Sequence, residues 1–133
     1  MNKQIFVNLP VKDLNKSKEF FSALGYTFNA QFTNEQGACM VISDNSIYAM
    51  LLTEEFFKTF TDKQIAKANE VTEVLTCLSC ESRGEVDSMV AKALAAGGTS
   101  PRAPQDHGFM YSRSFDDLDG HTWELVYMSG EPA

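Results

Sequence analysis

An internal repeat constrains the fold of this chain more than any other feature of its sequence. SALGYTF, at residues 22–28, resembles LAAGGTS at 94–100, and SDNSIYAMLL, at 43–52, resembles LDGHTWELVY at 118–127. Self-similarity at a separation of about 75 residues indicates two copies of one structural unit. We therefore expect both halves of the chain to have the same order of strands and helices.

The first half is predicted to have the order β-α-β-β-β. KQIFVNLPV alternates in polarity and contains branched residues, which predicts a strand that ends at Pro10. In DLNKSKEFFSALGY the apolar residues recur at near-helical spacing, Asp13 or Asn15 is placed to cap the helix, and Gly25 is placed to end it. The strands that follow lie in YTFNAQF, ACMVIS and SIYAMLLT, and an Asp-Asn pair predicts a tight hairpin between the last two.

The second half contains the strongest helix pattern of the chain, in SRGEVDSMVAKALAAGG. Ser82 and Glu85 form the S-x-x-E pattern of a capping box, and two glycines end the helix. EVLTCLSC precedes this helix as a strand, whereas TSPRAP after it can form only a short edge segment. GFMYSRSF and HTWELVYM then predict two strands joined by a turn. The residues of the helix's apolar stripe are Val86, Met89, Val90, Ala93 and Leu94.

These elements predict a single domain of the α+β class over residues 1–133. Module one covers about 1–53, a helical linker about 54–70, and module two about 71–130. A mixed sheet with a helix on one face leaves its other face uncovered, and two such sheets side by side curve into a cup. We therefore expect tandem βαβββ modules that form a cup-shaped mixed β-sheet with flanking helices, and a ligand site in the cup.

Charge and cysteine content narrow the range of partners and locations. With 11 basic and 18 acidic residues the net charge is −7, which repels phosphate backbones and anionic membrane surfaces. We therefore expect neither nucleic acid nor a membrane as a partner.

The sequence has no run of about 18 apolar residues and no signal-peptide pattern at its start, so we expect a cytoplasmic protein. Its cysteines, Cys39, Cys77 and Cys80, lie in strand-like runs and are expected to be reduced thiols.

Two motifs resemble those of a known superfamily. LPVKDLNKSKEFFSALGY after the first strand and FDDLDGHTWELVYM near the end of the chain resemble patterns of the vicinal-oxygen-chelate superfamily. This superfamily includes glyoxalase I, bleomycin-resistance proteins, fosfomycin-resistance proteins and extradiol dioxygenases. The resemblance covers nearly the whole chain and implies the glyoxalase/bleomycin-resistance fold. It also implies a divalent metal held by side chains of the first, fourth, fifth and eighth strands, with Glu124 as the ligand on the last strand.

The other three ligand positions that the resemblance implies hold no metal-binding side chain. The first falls on Phe6, the position in the fourth strand falls on Ala49 or Leu51, and the position in the fifth strand falls on or near Leu75. Divalent ions need several ligand atoms, and one carboxylate cannot fix their geometry. We therefore expect no metal and no other cofactor, although a shifted register or ligands from a second subunit leave a divalent metal open.

The candidate ligand-binding residues are Asn8, Met50, Tyr111, Arg113 and Glu124. Tyr111 and Arg113 share one strand face, and because a guanidinium fits poorly among helix-packed apolar groups, we expect both to face the cup beside Glu124. Four roles are then open to Glu124. It could form an ion pair with Arg113, accept hydrogen bonds from a ligand, act as a catalytic base, or be solvated with no further role. Asn8 either faces the cup or marks a bulge or an exposed edge, and Met50 lines an adaptable pocket.

The expected function is small-molecule binding of the bleomycin-resistance kind in a metal-free cup. The alternative is a lyase, isomerase or dioxygenase of the same superfamily that uses Glu124 as metal ligand or general base, so enzymatic activity is left open. Replacement of Glu124 by Gln separates the two, because an enzyme should lose turnover far more than binding, whereas a sequestering protein should lose affinity only. The resemblance also implies a homodimer that binds a small organic molecule.

Overall fold

The strands of the chain form two separate four-stranded sheets. The computed structural model describes residues 3–130, and the chain divides between Ala66 and Lys67 into two compact units, each with one of the sheets. Residues 1–2 and 131–133, at the ends of the predicted domain, lie outside the described residues. None of the helices in this described part has the length and hydropathy of a membrane-spanning segment.

The first unit has the predicted order of strands and helix. Its elements are β1 (Ile5–Val11), α1 (Leu14–Ala23), β2 (Thr27–Asn29), β3 (Gly37–Ser43) and β4 (Ile47–Thr53). The sheet order is β1-β4-β3-β2, in which β1 and β4 run parallel and the other neighbours run antiparallel. A short helix, α2 (Glu54–Phe57), and a 3₁₀ turn (Lys58–Phe60) follow β4. Helical structure therefore covers only the beginning of the predicted linker.

The second unit repeats this arrangement. Its elements are β5 (Thr76–Ser79), α3 (Arg83–Ala95), β6 (Gln105–Asp106), β7 (Met110–Asp116) and β8 (Thr122–Met128). The order β5-β8-β7-β6, with β5 and β8 parallel, has the same topology as the first sheet. The predicted α+β class and the predicted duplication are therefore confirmed.

The capping residues predicted for α1 and α3 are confirmed. Asp13 Oδ1 accepts a hydrogen bond from the backbone N–H of Lys16 at 3.1 Å, and Ser82 Oγ accepts one from the backbone N–H of Glu85 at 3.0 Å. These bonds satisfy N–H groups that the first turn of a helix leaves without an intrahelical partner. Gly25 follows α1 with a φ of 104°, a left-handed conformation that glycine adopts without strain.

Three details differ from the sequence prediction. Pro10 lies inside β1 and pairs in register with Leu52, because β1 is an edge strand, where a residue without an N–H is tolerated. The edge strand beside β7 is β6 and not TSPRAP. Within TSPRAP, Thr99 forms only an isolated bridge to Asp116. Leu94 is 47% exposed and so lies outside the buried stripe of α3.

One face of each sheet packs against a helix. α1 contacts β3 and β4, and α3 contacts β7 and β8. Since successive side chains of a strand point to opposite faces, the alternate residues are left for the other face of each sheet, which we call the open face. The core side chains, each at most 2% exposed, include Phe20, Phe21, Leu24, Met40, Ala49 and Leu51 in the first unit, and Val86, Val90, Ala93, Phe115, Trp123 and Leu125 in the second.

The turn between β7 and β8 is built around the buried carboxylate of Asp117. Its Oδ1 accepts hydrogen bonds from the backbone N–H groups of Asp119 and His121, each at 3.0 Å, and its Oδ2 accepts one from Trp123 Nε1 at 3.0 Å. Burial raises the pKa of Asp117, while the charge of His121 and these hydrogen bonds oppose that rise. The carboxylate therefore ties the turn to the core tryptophan.

We expect Asp117→Ala to lower the free energy of unfolding by about 2–4 kcal/mol. The substitution deprives the buried Trp123 Nε1 and two backbone N–H groups of their acceptor. Urea-induced unfolding followed by far-UV circular dichroism measures the change. Asp62→Ala is the matched control, because Asp62 is exposed and its loss should change the value by less than about 0.5 kcal/mol. Equal effects of the two substitutions would contradict the role of Asp117.

Candidate functional site

The open face of the first sheet carries two of the predicted ligand-binding residues, Asn8 and Met50. The pairing register places Asn8 opposite Met50. Cys39 of β3 lies opposite Met50 on one side and opposite Asn29 of β2 on the other. Directly paired residues share a face, so these four side chains form one row across all four strands. The structure therefore brings Asn8 and Met50 together.

An aromatic pair lies beside this row. Phe6 is paired with Tyr48, and their rings stack with centroids 4.8 Å apart and an angle of 8° between the planes. Phe6 is 51% exposed, so a large part of its surface remains accessible. We call this stacked pair the aromatic wall; each ring covers one face of the other, so the outer ring faces and the ring edges remain for contact with a ligand.

Both features border a cavity of about 490 Å³. Its lining consists of Gln4, Phe6, Asn8, Asn29, Phe32, Cys39, Tyr48 and Met50. None of these eight described residues is acidic or basic in type, and burial raises the pKa of the Cys39 thiol, which keeps it protonated at neutral pH. The cavity is therefore uncharged, with aromatic and sulfur-containing side chains flanked by amides.

The ligand position predicted for the fourth strand lies on the wrong face of β4. Ala49 and Leu51 are 0% exposed and belong to the helix-packed core, whereas Tyr48 and Met50 border the cavity. Ala49 and Leu51 have the same strand parity, so alignment through the hairpin and alignment through the strand end both fall on the core face. The open-face neighbours of Phe6 and Asn8 on this strand are therefore Tyr48 and Met50.

Glu124 lies on the open face of the second sheet. It is paired in register with Cys77 of β5 and with Ser114 of β7, so all three share that face. Partial desolvation and the nearby Glu124 carboxylate raise the pKa of the Cys77 thiol, which leaves that thiol protonated and weakly nucleophilic. A polar cavity of about 480 Å³ adjoins this face, and its lining includes Thr72, Leu75, Arg102, Gln105, Ser112, Asp116, Thr122 and Glu124.

The expectation that Tyr111 and Arg113 share the face of Glu124 is wrong, and Arg113 pairs with Asp87 and not with Glu124, which had been one alternative. Arg113 is paired with the core residue Leu125, on the face that packs against α3. The Tyr111 hydroxyl donates a hydrogen bond to Asp87 Oδ1 at 2.6 Å, and Arg113 Nη1 donates one to the same atom at 3.1 Å. Arg113 also borders the polar cavity, but its guanidinium is engaged with Asp87 on α3.

Asp87 is the reason that Tyr111 and Arg113 are tolerated on the helix side. The hydrogen bond from Tyr111, followed by the hydrogen bond and charge of Arg113, holds the pKa of the Asp87 carboxyl below its usual range. The side chain of Arg113 is 23% exposed and that of Asp87 is 51% exposed, so the pair lies at the rim of the core and not within it. The cluster joins α3 to β7.

The aromatic wall lies outside the candidate residues predicted from the sequence. Phe6 was expected only to occupy the position of a missing metal ligand, and Tyr48 was not among the candidates. Phe6 is two residues from Asn8, and Tyr48 is two residues from Met50, so each aromatic residue lies on the same strand face as a candidate residue. This spacing is the one local sequence signal that could have identified the aromatic pair. Their contact depends on the parallel pairing of β1 with β4, which no local pattern shows.

The side chains present do not fit the four-ligand metal site that the resemblance implies. Phe6 has no donor atom, and the open-face positions of β4 hold Tyr48 and Met50. Between residues 3 and 130, no group of three His, Cys, Asp or Glu side chains lies close enough to hold a metal ion. Glu124 and the protonated thiol of Cys77 provide fewer donors than a divalent ion needs.

Comparisons with known proteins agree with this fold. Residues 3–43 match the family model described as bleomycin resistance protein-like N-terminal. A glyoxalase/bleomycin resistance protein/dioxygenase family enzyme from Burkholderia phytofirmans is similar over 96% of this chain and 99% of its own, at 15% identity and a TM-score of 0.76. This likeness confirms the predicted glyoxalase/bleomycin-resistance fold.

Other solved structures share this glyoxalase/bleomycin-resistance fold. A hypothetical protein from S. aureus is similar over 96% of this chain and 95% of its own, at 28% identity and a TM-score of 0.78. A genomically encoded fosfomycin resistance protein, FosX, from Listeria monocytogenes is similar over 96% of this chain and 93% of its own, at 20% identity and a TM-score of 0.67. No curated protein matches the sequence significantly.

We expect no divalent metal ion to bind at Glu124. Chelator-treated protein titrated with nickel, zinc, manganese, iron(II) or magnesium should keep its Tm, since a ligand that binds only the folded state must raise it. Differential scanning calorimetry measures the Tm. A saturable rise with one ion, abolished in Glu124→Ala, would show that a metal site exists and that the assignment of ligand positions is wrong.

Proposed function

We propose that the protein binds a small organic molecule in the uncharged cavity of its first unit, without a metal ion, in the manner of a bleomycin-resistance protein. The observation that carries the proposal is the stacked pair of Phe6 and Tyr48. Phe6 occupies a position where the resemblance implies a metal ligand. An aromatic ring there removes metal coordination and adds a surface for an apolar ligand.

The composition of the cavity supports this proposal. Its volume of about 490 Å³ is typical of small-molecule sites, which are mostly apolar with a few polar groups that orient the ligand. Met50 and Cys39 lie at the centre of the row, where the flexible thioether of Met50 can adapt to a ligand. Asn8 and Asn29 at its two ends supply hydrogen-bonding amides.

Met50→Glu should weaken ligand binding with little effect on folding. Met50 is half-buried at the centre of the row, and a carboxylate there must be desolvated by any apolar ligand that enters. We would screen aliphatic, aromatic, cationic and anionic fragments by the shifts of the Asn8 and Asn29 side-chain amide signals in ¹H–¹⁵N NMR spectra. Fragments that bind the wild type should bind Met50→Glu at least about tenfold more weakly.

Glu124→Gln is the matched control for this screen. It alters the open face of the second unit and should leave the affinity of every fragment unchanged. Failure of all fragments to shift the Asn8 and Asn29 signals would contradict the proposed function.

A second candidate function is catalysis at Glu124, by a lyase, isomerase or dioxygenase. The observation that favours it is the polar cavity of the second unit, where Glu124 lies on one face with Cys77 and Ser114. A carboxylate in a polar cavity can act as a general base. Under this alternative Glu124→Gln abolishes turnover and spares binding, whereas under the preferred proposal it affects neither.

We also propose that the protein is a cytoplasmic homodimer in which the two modules form a single domain. The dimer and the two-module domain follow from the resemblance, and the location follows from the composition. Light scattering of the purified protein tests the dimer, and fractionation of the source cells tests the location.

A further inference from the structure

We propose that the ligand of the first unit is an uncharged, planar ring system with a hydrogen-bonding group at each of two opposite ends. The proposal rests on the binding function proposed above and adds the chemical class of the ligand. Three features of the cavity support it: the absence of charged residue types from its described lining, the exposed aromatic wall, and the placement of amides at opposite edges of the sheet.

The cavity offers no counterion to a charged ligand. Its eight described lining residues include no Asp, Glu, Lys or Arg. A charged group that moves from water into such a site loses hydration without gaining an ion pair, which costs free energy. The net charge of −7 further repels anions. An uncharged molecule is therefore favoured over an anion or a cation.

The wall of the cavity favours a flat ring over a puckered one. Phe6 and Tyr48 stack on each other, which covers one face of each ring. Phe6 is still 51% exposed, so its outer face or edge can contact a ligand ring. Phe32 borders the same cavity and is 62% exposed. An aromatic ligand ring that contacts these rings gains affinity beyond that from the burial of its area. Sulfur atoms of Met50 and Cys39 add favourable contacts to the edge of an aromatic ring.

The two amides lie at opposite edges of the sheet. Asn8 belongs to β1 and Asn29 to β2, and three strand spacings of about 4.8 Å place their Cα atoms about 14 Å apart. Asn29 Oδ1 accepts a hydrogen bond from the backbone N–H of Gln31 at 3.0 Å, so its NH₂ group remains to donate to a ligand. Strand side chains stand roughly perpendicular to the sheet, so the two amide groups remain about this far apart, and roughly two fused rings with a polar group at each end would bridge them.

Three matched compounds test this class. They are a naphthalene dicarboxamide with its amides at opposite ends, the saturated decahydronaphthalene dicarboxamide, and the corresponding naphthalene dicarboxylate. NMR titration of the Asn8 and Asn29 side-chain signals measures the three dissociation constants. We expect the planar dicarboxamide to bind about tenfold more tightly than either of the others, because it alone is both flat and uncharged.

Two variants test whether the preference for the planar compound arises from the aromatic wall. Phe6→Leu should weaken binding of the planar dicarboxamide by about three- to tenfold and leave the saturated compound unaffected. Phe60→Leu is the matched control, because Phe60 is 60% exposed and is not among the lining residues of this cavity. It should change none of the three affinities.

The outcomes separate the ligand class from the binding function. Equal affinity for the saturated compound or for the dicarboxylate would overturn the proposed class, while the shifted Asn8 and Asn29 signals would still show a ligand in the cavity. Binding of other fragments but of none of the three compounds would overturn the class as well. If no fragment shifts the Asn8 and Asn29 signals, the proposed binding function itself is overturned.

Discussion

One helix packs against one face of each sheet. This contact determines which side chains of a strand are buried and which lie on the open face. Because strand residues alternate between faces, the burial of Ala49 and Leu51 in the core turns Tyr48 and Met50 toward the open face. The core of the second unit places Glu124 on its own open face by the same rule. The residues available for a ligand are therefore a consequence of how the core packs.

The two units share one topology but present open faces of different chemistry. In the first, the row from Asn8 to Asn29 and the Phe6–Tyr48 wall border an uncharged cavity. In the second, Glu124 lies near a cavity lined largely by polar side chains. Substitution on an open face costs little folding free energy compared with substitution in the core. A duplicated unit can therefore keep its fold while its two copies acquire different sites.

The sequence predicted what depends on neighbouring residues, and it failed where partners are distant. The order of elements and both helix caps follow from local patterns, and they are confirmed. The predicted face of Arg113 was wrong because its partner, Asp87, lies 26 positions away on α3, and the alternation of strand residues does not reveal such a partner. The predicted face of the ligand position on β4 was wrong because that face depends on which residues of β4 are buried against α1, a distant contact that the hairpin sequence does not show. The contact between Phe6 and Tyr48 arises only when β1 and β4 pair.

Pro10 has a consequence for how the protein behaves at high concentration. β1 is an edge strand, and its residues Ile5 and Phe6 are 53% and 51% exposed. An exposed apolar edge is a template on which a strand of another molecule can add, which is a first step of aggregation. Pro10 carries no N–H to pair with an added strand, and its ring hinders the close approach of another backbone. The proline therefore allows the chain to keep an accessible aromatic surface while it discourages polymerisation through this strand.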